Sequence, residues 1–488
     1  MVETDLSKLS PSLIWQIFED ITKIPRCSKK EEKIRAWVKE WAENKGLFFK
    51  EDEAGNILLR QKASPGFETH PTLVLQGHLD MVCQKAKDLQ FNFDTDPINA
   101  FIDESGEFVT AEGTTLGADN GIGVSMCLAS LIDPEIKHGP LEALLTVDEE
   151  TGLTGAFSLK PGFFTGKFLL NLDSDDLGVI TVSSAGGGDT EITLDCQTED
   201  INDLQGFELT IKGLTGGHSG TDIHLGRLNA IKALGDGLSK IKDKNLHIKT
   251  IDGGKAHNAI PLDASSQFFV SSGKREAVHQ LLTDWKETTK KEVSEKEPGI
   301  LIELNTIPSE KTVFSHQTTI AILDLILQLP HGPAAYSKEI PDLVETSTNL
   351  ATIKSEANHV KINLSTRSAK NTELAKARNK IKDIAEKLGA SVAQENAYPG
   401  WYSDLNSPFL NLVKQKYEKV LGKEVQLKAI HAGLECGLFT DLDSELQIVA
   451  MGPDIKDGHS TKERVYIESV VLIWNTVKAV IESLEALQ

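Results

Sequence analysis

The chain has 488 residues, of which 40% are hydrophobic and 25% are charged, a composition typical of a folded protein with more than one domain. Its 72 Asp and Glu residues outnumber its 51 Lys and Arg residues, which gives a formal net charge of −21. Nucleic acids and anionic membrane surfaces would repel such a chain, so the charge argues against both as partners and favours cations.

The cysteines and the N-terminus bear on the compartment. The five cysteines are scattered and form no CxxC pair, which predicts reduced, mostly buried thiols rather than a disulfide framework or a zinc knuckle. The N-terminus has no basic stretch followed by an apolar one, so we expect no secretory signal. No run of about 18 apolar residues is present that could cross a bilayer. These features predict a cytoplasmic protein.

Helical and strand patterns alternate in residues 1–186. Apolar residues at helical spacing predict helices, and short, nearly continuous apolar runs predict strands buried between them. The predicted helices lie within residues 10–24, 29–46 and 117–133, and the predicted strands within 69–82 and 139–150. This alternation predicts a three-layer α/β domain with a central mixed sheet.

The pattern changes at GGGDT, residues 186–190, to strands, glycine turns and helices with more Lys and Glu. The segment from Ser265 resembles the segment from His359 in its order of strand, basic turn and helix. We therefore expect residues 187–390 to form an inserted α+β lid domain of two similar halves. The α/β pattern then returns, so residues 391–488 are expected to complete the first domain, residues 1–186.

Potential metal ligands follow two of the predicted strands. His78 and Asp80 are two residues apart, so both point to one face of a strand, and Asp80 is placed to orient the imidazole. The stretch TVDEETGLTG ends another strand in three carboxylates, those of Asp148, Glu149 and Glu150. Taken alone, a strand-end histidine is more often structural than a ligand, and an acidic cluster is more often a solvated turn than a binding site.

Three further candidates lie elsewhere in the chain. Asp119 lies in a glycine-flanked turn before a helix, Asp173 ends an apolar strand, and His459 lies in a loop just past a strand. Asp119 alone would be read as a helix cap. GADNGIG, the turn that contains Asp119, has neither of the spacings that bind nucleotide phosphates. Because ligands bind at the carboxyl ends of strands in open α/β sheets, we expect these side chains to meet.

Together, two imidazoles and three carboxylates suit two divalent ions that share one bridging carboxylate, as in two-metal hydrolytic sites. Hydrolysis at such a site also needs a group that accepts and donates a proton. Glu149, next to the ligand Glu150, is the candidate. Asp148 has no expected role beyond the turn.

The motifs HLDMV, GADNGIG, TVDEETGLTG, NLDSDD and the late GHS resemble, in this order and at these intervals, the dinuclear-zinc aminopeptidase, aminoacylase and glutamate carboxypeptidase family. IHAGLECG, LVETSTNLA and GGHSGTDIHLGRLNA are similar to the dipeptidases of that family. The likeness spans nearly the whole chain. It implies a zinc-dependent enzyme that hydrolyses dipeptides, including aminoacyl-histidine dipeptides such as β-alanyl-histidine.

The resemblance also implies roles for individual residues. One Zn²⁺ would be held by His78, Asp119 and Asp173, and the other by Asp119, Glu150 and His459. Asp80 would orient His78, Glu149 would be the general base and acid, and a cis peptide would follow Asp119. The remaining implied roles are oxyanion stabilisation by His218, binding of the substrate carboxylate by Arg367, and substrate binding by Asn258 and Glu435. His224 and His257 are expected to be structural or to lie on the lid surface.

Several alternatives stay open at this point. Co²⁺ or Mn²⁺ can replace zinc in a mixed imidazole and carboxylate site. An N-acyl amino acid deacylase on the same scaffold, or a non-catalytic metal-binding protein, would carry similar motifs, whereas an α/β oxidoreductase is disfavoured by the missing nucleotide motif. The expected partners are small peptide substrates and a second copy of the chain in a homodimer.

Overall fold

The computed structural model describes residues 5–338, 343–394 and 397–487. The chain divides into two compact units. The first unit comprises Met1–Ser184, Trp401–Ala429 and Leu434–Gln488, and the second comprises Ala185–Gly400 and Ile430–Gly433. Along the sequence, the second unit therefore interrupts the first.

The helices and strands are numbered here in chain order. The α-helices are α1 (Ser12–Thr22), α2 (Glu32–Asn44), α3 (Ala118–Ile132), α4 (Thr154–Ser158), α5 (Ala230–Ser239), α6 (Arg275–Val293), α7 (His316–Gln328), α8 (Asn371–Lys387), α9 (Pro408–Leu421), α10 (Cys436–Leu442) and α11 (Ile467–Ile481). Within the described ranges, none of them is both long and apolar enough to cross a bilayer.

The strands are short in the first unit and longer in the second. They are β1 (Phe48–Glu51), β2 (Ile57–Gln61), β3 (Leu73–His78), β4 (Ala100–Ile102), β5 (Phe108–Ala111), β6 (Leu141–Thr146), β7 (Phe168–Asn171), β8 (Val179–Ser184), β9 (Gly186–Asp195), β10 (Thr198–Asp200), β11 (Leu204–Lys212), β12 (His247–Gly253), β13 (Ala264–Ser271), β14 (Leu301–Ile307), β15 (Thr312–Phe314), β16 (Gly332–Tyr336), β17 (Val344–Ser355), β18 (His359–Ser368), β19 (Ser391–Gln394), β20 (Trp401–Tyr402), β21 (Gln426–Ile430), β22 (Gln447–Ala450), β23 (Ile455–Lys456) and β24 (Arg464–Tyr466).

The first unit is built on a mixed sheet with the strand order β1, β2, β6, β3, β7, β22, β8, β20 and with β21 paired to β8. Its central strands β6, β3, β7 and β22 run parallel, and the outer pairs β1 with β2 and β8 with β20 are antiparallel. All six residues of β3 and of β6 are buried, which explains their continuous apolar runs. The predicted α/β class with a mixed sheet is confirmed.

The second unit contains a nine-stranded sheet with the order β14, β11, β13, β12, β17, β18, β9, β19 and with β16 paired to β17. The order is symmetric about the pairing of β12 with β17. In chain order the first half is β11, α5, β12, β13, α6, β14, and the second half is β9, α7, β17, β18, α8, β19. The similar segments from Ser265 and His359 thus occupy equivalent places, and the predicted two halves are present.

One expectation about the cysteines is wrong. Cys27 and Cys83 form a disulfide, with their Cα atoms 5.7 Å apart, and only Cys127, Cys196 and Cys436 are free. The two partners are 56 residues apart in sequence, so their spacing gave no sign of the bond. The fold brings them together because residues 26–27 run beside Met81, whose backbone N–H donates to the carbonyl of residue 26 over 3.1 Å.

Candidate metal centre

Three parallel strands of the first unit carry acidic and histidine side chains to one edge of the sheet. His78 is the last residue of β3, Asp173 lies just past β7, and Glu149 and Glu150 lie just past β6. Because these strands are parallel, their carboxyl ends lie at the same edge. Asp119, in the first turn of α3, lies beside them. The structure therefore brings the predicted strand-end residues together.

Asp119 lies at the centre of this cluster. Its Oδ1 is 3.1 Å from Nε2 of His78, and its Oδ2 is 3.1 Å from Nε2 of His459. Asp173 Oδ1 lies 3.4 Å from the same His78 nitrogen, and Glu150 Oε2 lies 3.0 Å from the same His459 nitrogen. The donor atoms thus form two groups of three that share Asp119, each with all its atoms within 4.8 Å of one another.

Asp80 connects the histidine to the acidic turn. It is fully buried, and its Oδ1 lies 3.3 Å from Nδ1 of His78. The same oxygen accepts the backbone N–H of Glu149 over 3.0 Å, and Oδ2 accepts that of Glu150 over 3.2 Å. A carboxylate in this place can orient the imidazole and the two glutamates at the same time.

The two imidazoles and the carboxylates shift each other's pKa values. Burial alone would lower the pKa of His78, but Asp173 and Asp119 raise it well above its ordinary value. Hydrogen bonds with Asp119 and Glu150 raise the pKa of His459 to about 11. Burial alone would raise the pKa of Asp119, but its hydrogen bonds with His459 and His78 lower it. Positive charge between these carboxylates is therefore strongly favoured.

The donor set also fits a metal ion. Burial raises the pKa of Glu149 well above its ordinary value, and it raises the pKa values of Glu150 and Asp173. Within the described residues, Oε1 of Glu150 is buried without a hydrogen-bond partner. Buried carboxylates lacking a counter-charge are costly, and a divalent cation removes that cost. Imidazole nitrogens with carboxylate oxygens are a donor set that zinc accepts.

Asp148, the first carboxylate of the acidic turn, has a different environment. Its carboxylate accepts hydrogen bonds from the hydroxyls of Thr151 and Thr154, and its backbone N–H donates to Glu31 over 3.0 Å. Its φ of 51° lies in the left-handed region. Asp148 therefore closes the turn that places Glu149 and Glu150, in keeping with its expected role.

His218 lies in the second unit, in a turn after β11. Its Nδ1 accepts the backbone N–H groups of Gly220 and Thr221, each over 3.2 Å. A ring nitrogen that accepts two N–H groups carries no proton, so the neutral ring carries its proton on Nε2. This tautomer makes Nε2 a hydrogen-bond donor, as stabilisation of an oxyanion requires.

Arg367, the next-to-last residue of β18, also belongs to the second unit. It is only 7% exposed, and its Nη1 donates to the hydroxyl of Tyr398 over 2.9 Å. Its Nε has no hydrogen-bond partner among the described residues. A Cβ added at Gly220 would lie 3.3 Å from this Nε and 3.1 Å from Cε1 of His218. The guanidinium thus lies close to His218 and has an unused donor.

The other candidates in the second unit have more ordinary surroundings. The side chain of Asn258 is exposed, and its backbone carbonyl accepts the N–H of Ser219 over 2.8 Å, which supports the turn of His218. His257 is exposed and lies 2.8 Å from a carboxylate oxygen of Asp189. His224 is exposed.

Glu435, in the first unit, is completely buried. Its Oε2 accepts hydrogen bonds from Gln76 over 2.6 Å and from Thr146 over 2.7 Å, and burial raises its pKa to about 8. Gln76 in turn accepts from Asn171, whose side chain accepts the N–H of Asp173 over 3.2 Å. Sequence reasoning missed Gln76 and Thr146. Polar residues inside apolar strands were the available signal, because buried polar groups need partners.

The structure therefore separates the predicted site residues into two sets. Those of the first unit are His78, Asp80, Asp119, Glu149, Glu150, Asp173, Glu435 and His459, and those of the second are His218, Asn258 and Arg367. The peptide bond between Asp119 and Asn120 is cis, as the resemblance implied.

Known proteins resemble this chain over its whole length. The family description "peptidase dimerisation domain" of the M20 peptidases matches residues 209–297. The cytosol non-specific dipeptidase of Escherichia coli strain K12 is 38% identical over 485 residues, which covers 99% of this chain and 100% of that protein.

Solved structures give the same result. The aminoacylhistidine dipeptidase of Vibrio alginolyticus is 38% identical and has a TM-score of 0.87, with 99% of this chain and 98% of that chain covered. A tripeptidase of Staphylococcus aureus shares the fold, with 17% identity and a TM-score of 0.56. The match covers 98% of this chain and 100% of that chain. The chain is therefore a dipeptidase of the M20 peptidase family and belongs with the cytosol non-specific dipeptidases.

Proposed function

We propose that this dipeptidase holds two zinc ions and that its substrates include aminoacyl-histidine dipeptides. His78, Asp119 and Asp173 would bind one ion, and Asp119, Glu150 and His459 the other. The observation that carries the proposal is the double use of Asp119, whose two oxygens face different imidazoles at 3.1 Å. The substrate class follows the name of the Vibrio relative.

In this proposal Glu149 moves the proton. When bound, the ions would lower the pKa of water and polarise the peptide carbonyl. Glu149 would accept the proton of the attacking water and pass it to the departing amine. Its burial and raised pKa suit a group that must hold a proton between the two steps. Asp80 would keep Glu149 in place through its bond to the backbone N–H.

His218 and Arg367 would act on the substrate itself. The Nε2 proton that the contacts of His218 favour is suited to stabilising a tetrahedral oxyanion. Arg367 would bind the carboxylate at the end of the dipeptide, a task suited to a planar guanidinium. We assign Asn258 and Glu435 to the surroundings of the substrate. The region 187–390 would be the lid that carries His218 and Arg367.

The central experiment is Glu149→Ala. We expect the variant to retain about two zinc ions per chain, measured by elemental analysis, while hydrolysis of β-alanyl-histidine is lost. Glu135→Ala, at an exposed surface position, is the control and should keep full activity. If Glu149→Ala kept its activity, the general-base role would be wrong. Faster hydrolysis of N-acyl amino acids than of dipeptides would favour a deacylase.

We also propose a cytoplasmic location and a homodimer. The relative in E. coli is named a cytosol enzyme, and the matched segment is named a dimerisation domain. The Cys27–Cys83 disulfide argues against this location, because disulfides are rare in a reducing compartment. Cell fractionation tests the location, and sedimentation equilibrium of the intact protein tests the dimer.

A further inference from the structure

Two charged residues outside the motifs surround the segment that leads to Asp119. Arg26 and Glu463 are each only 2% exposed. Neither of the two is among the residues to which the proposed function gives a role. Buried charges are retained only where they are paired and hydrogen-bonded, so both residues call for an explanation.

Glu463 binds consecutive backbone amides. Its two oxygens accept the N–H groups of Leu116 over 2.8 Å, Gly117 over 3.0 Å, Ala118 over 2.8 Å and Asp119 over 3.3 Å. The last two of these amides lie at a kink formed by Asp119 and Asn120, whose φ and ψ angles are not helical, so these buried N–H groups need acceptors outside the helix. The carboxylate of Glu463 forms charge-assisted hydrogen bonds with these amides.

Arg26 binds the backbone carbonyls on the other side. Its Nη1 donates to the carbonyl of Leu79 over 3.0 Å and to that of Asp80 over 2.8 Å, and its Nη2 donates to the carbonyl of Gly117. A Cβ at Gly117 would lie 2.5 Å from Nη2, so only glycine allows this approach. Arg26 thus joins the segment after His78 to the segment before Asp119.

The two residues together connect three ligand-bearing segments. Glu463 follows His459 by four residues, and its bonds reach the segment of Asp119. Arg26 connects that segment to the one after His78. Opposite charges on Arg26 and Glu463 also attract one another. Each of these three segments is therefore connected to another by charge-assisted hydrogen bonds and not by its ligand side chain alone.

We propose that Arg26 and Glu463 are positioning residues that set the affinity of the metal centre by fixing the segments of His78, Asp119 and His459. The inference rests on the proposed function, since it assigns these residues a role toward the zinc ligands named there. Residues that orient metal ligands from outside typically contribute 10–100-fold to metal affinity.

The test compares Glu463→Gln with Glu468→Gln, an exposed glutamate five residues away. Zinc affinity is measured by competition with a chromophoric chelator, and thermal unfolding is recorded for the metal-free and zinc-loaded forms. We expect Glu463→Gln to weaken the binding of at least one zinc by about 10–100-fold. The rise in Tm on zinc binding should shrink, and activity should recover in excess zinc. Glu468→Gln should match the wild type.

A purely structural role for Glu463 predicts a different result. Glu463→Gln would then lower the Tm of the metal-free form while zinc affinity and the zinc-dependent rise in Tm stay unchanged, which would overturn the inference. Arg26→Lys is the second variant, because it replaces the two guanidinium nitrogens that contact the carbonyls with one ammonium nitrogen. If Glu463→Gln does not fold, zinc affinity and the zinc-dependent rise in Tm of Arg26→Lys test the inference instead. A wild-type protein that binds no zinc would instead contradict the proposed function itself.

Discussion

The contacts of His218 give a direct expectation for catalysis. Two backbone N–H groups donate to Nδ1, so the proton of the neutral ring stays on Nε2, where it can be donated to an oxyanion. His218→Ala should lower kcat by about 10²–10³-fold, the usual cost of removing one such donor. Steady-state hydrolysis of β-alanyl-histidine measures this. Exposed His224→Ala, six residues along the chain, is the control. An unchanged kcat for His218→Ala would refute the oxyanion role.

His431 predicts a pH dependence of stability. Its Nε2 lies 2.7 Å from the hydroxyl of Ser347, and burial, aided by Arg367, His218 and His224, lowers its pKa to about 3. The unfolded chain takes up a proton near pH 6.5 and the folded chain does not. Stability from this residue is therefore complete above that pH and falls as the pH decreases toward about 3.

The measurement is urea unfolding between pH 7 and pH 5. Below the ordinary pKa of histidine, His431 should lower the free energy of unfolding by about 1.4 kcal/mol for each unit that the pH falls. His431→Asn should flatten the profile by that amount, whatever its effect on stability at pH 7. His279→Asn, at an exposed position in α6, should leave the slope unchanged. Equal slopes for wild type and His431→Asn would mean that the imidazole is not held neutral.

Among the secondary-structure elements, the segments after α1 and β3 are joined covalently by Cys27–Cys83. A bond that closes a loop of 56 residues restricts the unfolded chain. Replacing both cysteines with serine should lower the free energy of unfolding by about 2–4 kcal/mol. Denaturation without reductant measures this, and Cys196→Ser, which removes a free thiol, is the control. A double variant as stable as the wild type would show that the bond does not form in solution.

The secondary-structure elements and the cluster of candidate metal ligands were largely predictable from the sequence. Buried parallel strands produce continuous apolar runs, so the ends of β3, β6 and β7 and the side chains just beyond them could be located from sequence. Arg26 and Glu463 could not, because their partners are backbone groups distant in sequence, and backbone groups carry no residue signal. The Cys27–Cys83 disulfide was missed because the two cysteines are 56 residues apart and their spacing does not mark them as a pair. The cis peptide bond after Asp119 was expected only from the resemblance to the family.

For the protein as a whole, bound metal should control stability. Zinc at 1,000 times its Kd would add about 4.1 kcal/mol to the free energy of unfolding. We expect a chelator to lower the Tm of the wild type clearly. Asp119→Asn keeps the size of the proposed shared ligand but removes its charge, so the Tm of this variant should respond less to the chelator. Scanning calorimetry measures both, and equal responses would contradict the shared role of Asp119.

The two halves of the nine-stranded sheet in the second unit belong to one chain, so their sequences need not be alike. In a symmetric pair of chains, every substitution is made in both copies, so a change that suits one place must be tolerated in the other. Here the first half carries His218 and the second carries Arg367, each encoded once. The residue proposed to stabilise the oxyanion and the residue proposed to bind the carboxylate can thus diverge independently, and each half can be redesigned separately.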